Sequence, residues 1–241
     1  MSRTFELLQR LEKEQATGAP SVLPTNGHRP ALPAPVGEEV SRLVQQVFRG
    51  PVTNERPRVV VFSSVVHGDG CSWVCANTAL TLAAQNAGSI CLVDANLRTP
   101  SLHTRFEIDN RVGLSDAMVQ PAPVREFAQQ IAGSNLWVLP AGSASGNQAQ
   151  LNFETMRVRL TELCGEFETV LIDTPPASLY SDAAQIGRLA DGVVLVLQSN
   201  TTRRESALKV KEIFEAASVR LLGAVLNKRT FPIPQKLYSR L

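Results

Sequence analysis

Chemistry in this chain is concentrated in ten residues, Ser63-Ser64-Val65-Val66-His67-Gly68-Asp69-Gly70-Cys71-Ser72, which follow an apolar run and precede a segment of helical pattern. Glycines in such a place let backbone N–H groups curl around a phosphate, and the start of the helix adds partial positive charge. Against the phosphate-loop pattern GxxxxGK[ST], Gly70 and Ser72 fit, and the Ser72 hydroxyl is the kind that holds Mg²⁺. Val65 replaces the first glycine, and Cys71 replaces the lysine that reaches the outer phosphates. On these residues alone, an ordinary glycine turn before a helix reads equally well. Two other apolar runs, Cys91-Leu92-Val93-Asp94 and Leu171-Ile172-Asp173, deliver a carboxylate at their ends. Asp173 is placed as a Walker B acid is, to polarise the Mg²⁺ shell, although strand-tip aspartates also cap helices. Three such signals in this order weigh more than any one, and they make Gly68, Asp69, Gly70, Cys71 and Ser72 the candidate nucleotide loop.

Those residues need strands that end at one edge and helices that begin there. Short β-rich runs at 59–64, 90–94, 136–141, 169–174, 192–198 and 221–227 alternate with helical patterns near 72–87, 149–167, 181–189 and 203–217. Continuous apolar strands are buried on both faces, and strand–helix–strand crossovers are right-handed, so the pattern predicts an α/β, three-layer fold with a mostly parallel central sheet flanked by helices. Functional residues belong at the carboxyl ends of its strands. A helix is expected over 37–49, with Val40, Leu43, Val44 and Val47 on one face and Gly50 and Pro51 at its end. Before it, 17–36 contains Pro20, Pro24, Pro30, Pro33 and Pro35 and reads as a linker. Residues 1–16 place Phe5, Leu7, Leu8 and Leu11 at helical spacing among charges, a short amphipathic arm, which leaves 37–241 as the folded domain.

The chain has 241 residues, enough for one large domain and an arm. Twenty-four Lys and Arg against 22 Asp and Glu leave a net charge of +2, which excludes a dedicated nucleic-acid binder. No apolar run is long enough to cross a bilayer and the N-terminus has no signal-peptide core, so a soluble, cytoplasmic protein is expected. Cys71, Cys75, Cys91 and Cys164 form no CxxC pair and read as reduced thiols. Cys71 and Cys75 share a helix face and are expected to be buried rather than metal-binding, and His28 and His103 are too isolated to join a ligand cluster. His67 reads as a solvated loop residue. Lys228, Arg229, Lys236 and Arg240 make the last fourteen residues basic, a solvated tail or a contact for acidic lipid or a partner.

The stretches VDANLRTPSLHTRFEIDNRVGLSDAM, LIDTPPASLYSDAAQIGRLADGVVLVLQSNTTRRES and LGAVLNKRTFPIPQKLYSRL resemble the cytoplasmic catalytic domains of the bacterial tyrosine kinases of capsule and exopolysaccharide export, within the MinD and ParA class of P-loop ATPases. The resemblance implies ATP or ADP with Mg²⁺ as cofactors. It also implies that Asp94, the first acid of a DxDxR signature, helps hold the metal beside Ser72 and Asp173 and acts as the catalytic residue that activates the tyrosine. An ExxRxxR helix used in ring assembly corresponds to Glu39-xx-Arg42-xx-Gln45.

Departures from the family pattern fall on the chemistry. The loop lysine is Cys71, the second acid of DxDxR is Asn96, the last arginine of ExxRxxR is Gln45, and in place of a tyrosine-rich tail there are Tyr180 and Tyr238. Losing one stabilising donor costs about a hundredfold to a thousandfold in rate. A thiol at a helix N-terminus tends toward the thiolate, which would repel phosphate. Arg98, Arg203, Arg204 or a partner's lysine could replace the charge, but the sequence places none of them in the site. The expectation is thus a pseudokinase, a regulatory or binding subunit of an exopolysaccharide system. Its expected partner is the cytoplasmic segment of a membrane polysaccharide co-polymerase or another export component, which would hold it at the inner face of the membrane. Alone it should be a monomer or dimer. The alternative is an active ATP-dependent tyrosine autokinase or ATPase with an atypical loop.

Overall fold

In β1 (Val59–Ser64), Val59 and Val61 join one hydrophobic layer while Val60 and Phe62 join another. The same alternation holds in β2 (Ile90–Asp94), β5 (Thr169–Asp173) and β6 (Gly192–Gln198), whose Cys91, Val93, Val170, Ile172, Val193 and Leu195 share the first layer, and Ile90, Leu92, Leu171, Val194 and Val196 the second. Strands apolar on both sides must be covered on both sides. Helices α1 (Ala34–Phe48) and α2 (Cys71–Ala84) cover one face through Val44, Phe48, Val74, Ala79 and Leu82. Helices α5 (Phe153–Glu166), α6 (Asp182–Gly187) and α7 (Arg204–Ala216) cover the other through Met156, Leu160, Leu163, Ile186, Val210 and Phe214.

The computed structural model describes residues 34–49, 56–131, 133–143 and 151–229, all within one compact unit, Ala31–Leu241. The arm at 1–16, most of the linker, Gly50, Pro51, Lys236, Tyr238 and Arg240 lie outside the described residues. Sheet order is β3-β4-β2-β5-β1-β6-β7, where β3 is Gln129–Gln130, β4 is Leu136–Leu139 and β7 is Leu221–Asn227. All pairings are parallel except the short antiparallel β3–β4 edge. The three-layer α/β expectation holds. Register brings Phe62 of β1 and Asp94 of β2 opposite Asp173 of β5, so β2 and β5 end level with each other and β1 runs two residues further to Ser64.

Three of the differences in element boundaries from the sequence reading have a local physical cause. Helix α1 starts at Ala34, three residues inside the predicted linker, because Pro35 in a first turn gives up no helical hydrogen bond. Strand β4 stops at Leu139 rather than 141, since the carbonyls of Pro140 and Ala141 accept from the N–H groups of Leu114 and Ser115 in α4 (Leu114–Ala117) instead. Helix α5 begins at Phe153 because the Asn152 side chain caps it through the Thr155 N–H. Helix α3 (Leu102–Phe106) follows the β2 tip.

Candidate functional site

The loop after β1 turns through Gly68 and Gly70, both left-handed at φ of about 90°, a conformation other residues adopt only with strain. At Gly70 a Cβ would also run into the Asn227 side-chain amide, which would have to move. Asp69, 1% exposed, uses its carboxylate inside the loop: it accepts from the N–H groups of Val65 (3.2 Å) and Val66 (3.1 Å) and from the Thr202 hydroxyl (3.0 Å). Asp69 therefore braces the loop. From the β7 tip the Asn227 amide donates to the Asp69 carbonyl at 2.8 Å, and the Lys228 ammonium donates to the Gly68 carbonyl at 2.7 Å. The chain after β5 completes the frame, with the Ala177 N–H bonded to the Ser64 carbonyl, the Ser178 hydroxyl to that of Val65, and the Ser63 hydroxyl to that of Pro175. A loop tied to the tips of β5, β6 and β7 is preorganised, and the first N–H groups of α2 beside it lack intrahelical partners by helix geometry.

Cys71 opens α2 and is buried. Burial chiefly, then the Asp173 charge, pushes its thiol well above the ordinary range, and Cys75 one turn on is pushed up by burial as well. The expected thiolate is corrected: burial and the nearby Asp173 charge disfavour the anion and outweigh the helix terminus. Cys71 is a neutral thiol. Both cysteines are buried on one helix face, and no cluster of three or more metal-ligating side chains occurs among the described residues.

Asp94 and Asp173 are fully buried. Asp94 accepts from the N–H groups of Asn96 (3.2 Å), Ser101 (3.1 Å) and Leu102 (3.0 Å), so it also organises the turn into α3. Burial raises its pKa to about 6 despite these bonds. Neither oxygen of Asp173 has a hydrogen-bond partner of good geometry. Burial and then the Asp94 charge raise its pKa to about 7, and the nearby Ser72 hydroxyl and Cys71 thiol pull the other way more weakly. An orphaned buried carboxylate next to a helix-start hydroxyl fits a hard cation, and Mg²⁺ is commonly held by one or two carboxylates together with substrate phosphates. The residues present thus fit Mg²⁺ that arrives with a nucleotide, with Ser72, Asp94 and Asp173 as the protein's share.

The other candidates lie around this centre. Arg98 pairs with Asp182 at 3.3 Å and stacks on Tyr180 at 4.2 Å, with the His67 ring edge-on to the same tyrosine at 6.3 Å. Asn96 accepts from the N–H and hydroxyl of Thr99, a local turn bond. Glu39, Arg42 and Gln45 are exposed on α1. Between α1, α2 and β7 is a cavity of about 470 Å³ lined by Val40, Leu43, Gly70, Trp73, Val225 and Lys228. Trp73, Asn227 and Lys228 were missed as site residues by the sequence reading. Their signal was present, since Asn227 and Lys228 follow an apolar run as Asp94 and Asp173 do.

Residues 58–216 match the family model described as cellulose biosynthesis protein BcsQ. The chain is similar to the tyrosine-protein kinase YwqD of Bacillus subtilis, 32% identical over 196 residues that cover 81% of this chain and 82% of that one. Among solved structures it is similar to the chimerical protein CapA2B2, at 26% identity and a TM-score of 0.73, covering 82% of this chain and 86% of that one. The kinase domain of the Escherichia coli tyrosine kinase ETK shares the fold at 22% identity and a TM-score of 0.74, covering 88% of this chain and 87% of that one.

Proposed function

The chain belongs to the bacterial tyrosine-kinase family, within the MinD and ParA class of P-loop ATPases, and from that premise we propose that it serves exopolysaccharide assembly as a regulatory or binding subunit that does not itself transfer phosphate. The observation that carries the reading is Cys71, a neutral buried thiol beside Asp173 where the loop lysine belongs. Phosphoryl transfer depends on positioning and on stabilising the charge of the moving group, and a neutral thiol supplies none of that charge. A bound Mg-nucleotide would bring the metal's charge and the phosphoryl group. The chain itself contributes the braced loop, the Ser72 hydroxyl and the two strand-tip carboxylates.

The proposed partner is the cytoplasmic segment of a membrane polysaccharide co-polymerase, which would hold the chain at the inner face of the membrane. No helix among the described residues is long and apolar enough to cross one. A second reading, a working tyrosine autokinase or ATPase, is favoured by the alignment of Asp94 with Asp173. Phosphate release from Mg-ATP, and intact mass after incubation with it, separate the two. The expected result is background turnover in the wild type and a rise of a hundredfold or more in Cys71→Lys. Stoichiometric tyrosine phosphorylation of the unaltered chain would overturn the proposal.

A further inference from the structure

At the opposite edge of the sheet from the loop, where the strands begin, a second cavity of about 650 Å³ has three arginines in its wall. Arg49 follows the last residue of α1, Arg56 and Arg58 lead into β1, and Gly88 after α2 and Glu168 before β5 line the other side. None of the lining residues belongs to the loop or to the strand tips that carry Asp94 and Asp173. The length of β1 separates the two edges by roughly 17 Å.

An arginine beside a helix end is ordinarily explained by the carbonyls there, because a helix C-terminus carries partial negative charge. Arg58 fits that account: its guanidinium donates to the carbonyls of Cys164 (2.7 Å) and Phe167 (3.1 Å) at the end of α5. Arg49 and Arg56 do not fit it. Both are exposed, and neither side chain has an ion pair or a hydrogen bond among the described residues. Glu168 is the one carboxylate of the wall; it lies where a Gly88 side chain would be and pairs with none of the three arginines. Its charge and those of the helix ends offset part of the guanidinium charge and leave a positive excess. Pro57, buried between Arg56 and Arg58, holds the Arg56 backbone extended, so that part of the wall is fixed before any ligand arrives.

We propose that this cavity is a binding site for a small phosphorylated molecule, gripped by Arg49 and Arg56 while Arg58 adds charge from the wall. Guanidinium forks match phosphate oxygens two at a time, and a recess of this volume encloses a small ligand, whereas a membrane surface would need a flat or convex basic face. The site is separate from the loop but shares its elements. Helix α2 begins at Cys71 and ends at the cavity, and β5 begins at the cavity with Thr169 and ends at Asp173. A ligand here contacts the far ends of the two elements that carry Cys71 and Asp173.

Nuclear magnetic resonance titration of the full chain in EDTA, with inorganic pyrophosphate and with glucose 1-phosphate as probes, tests the assignment. Either probe should move the backbone amides of Asn86, Ala87 and Gly88, and the tighter of the two distinguishes a bare polyphosphate from a sugar phosphate. Arg49→Gln combined with Arg56→Gln should weaken the affinity read at those amides by at least about tenfold. Glu168→Gln, which removes the negative side chain of the wall, should strengthen it by about threefold, a gain that a damaged fold does not produce. Amide shifts confined to residues 68–72, no shift with either probe at millimolar concentration, or an affinity unchanged in the double arginine variant or in Glu168→Gln would overturn the inference.

Discussion

Asp94 and Asp173 stand opposite each other at the carboxyl tips of adjacent parallel strands, and only Asp94 has its oxygens hydrogen-bonded. Neighbouring strands are roughly 4.8 Å apart, so two carboxylates so placed and out of water oppose each other's ionisation.

That relation fixes a pH dependence. Both groups have folded pKa values above their unfolded ones, Asp94 at about 6 and Asp173 at about 7. The native state then holds more protons than the unfolded state between about pH 4 and pH 7, so stability falls as pH rises through that window. Without divalent cation the chain should melt higher at pH 5 than at pH 8. Asp173→Asn should flatten the profile and stabilise the protein at pH 8 by on the order of 1 to 3 kcal/mol. Thermal melts across pH decide it, and a wild-type profile that climbs from pH 5 to pH 8 would contradict the pairing.

The two loop glycines should respond differently to alanine. At Gly68 the backbone is left-handed but a Cβ meets nothing within 4 Å, so Gly68→Ala should cost about 1 to 2 kcal/mol, the conformational penalty alone. At Gly70 the same penalty applies and the Cβ would also displace the Asn227 amide from the Asp69 carbonyl. Gly70→Ala should therefore cost about 1 kcal/mol more. Urea titrations of the two variants measure the difference, and equal losses would mean that the β7 tip does not brace the loop.

Assembly should be weakened at α1. Glu39, Arg42 and Gln45 are exposed along the helix, where the family's ring motif has a second arginine in place of Gln45. A neutral amide does not replace a charge-assisted, bidentate arginine bond, a loss of about 1 to 3 kcal/mol at each junction. A ring needs every junction, so light scattering at tens of micromolar should find a monomer or dimer. Gln45→Arg should shift the population toward larger species, and a stable ring formed by the unaltered chain would show that the interface persists without that charge.

The sequence by itself determined the architecture and the location of the site. Apolar runs such as GVVLVLQ demand cover on both faces, which dictates helices on both sides of a parallel sheet, and strands of that kind present Asp94 and Asp173 at one edge beside a glycine loop. It also showed that Cys71 stands where a cation belongs. Tertiary structure alone decided the electrostatics. Whether Cys71 ionises depends on burial against Asp173, and whether Asp173 finds a hydrogen-bond partner depends on register and on the path of the chain after β5. Lys228 and Gly68 are 160 positions apart, and they meet because β7 pairs with β6 and ends level with the loop. Local pattern carries periodicity, which sets elements and layers, but charge acts through space, and only the order and register of the strands determine which distant charges come within reach of each other.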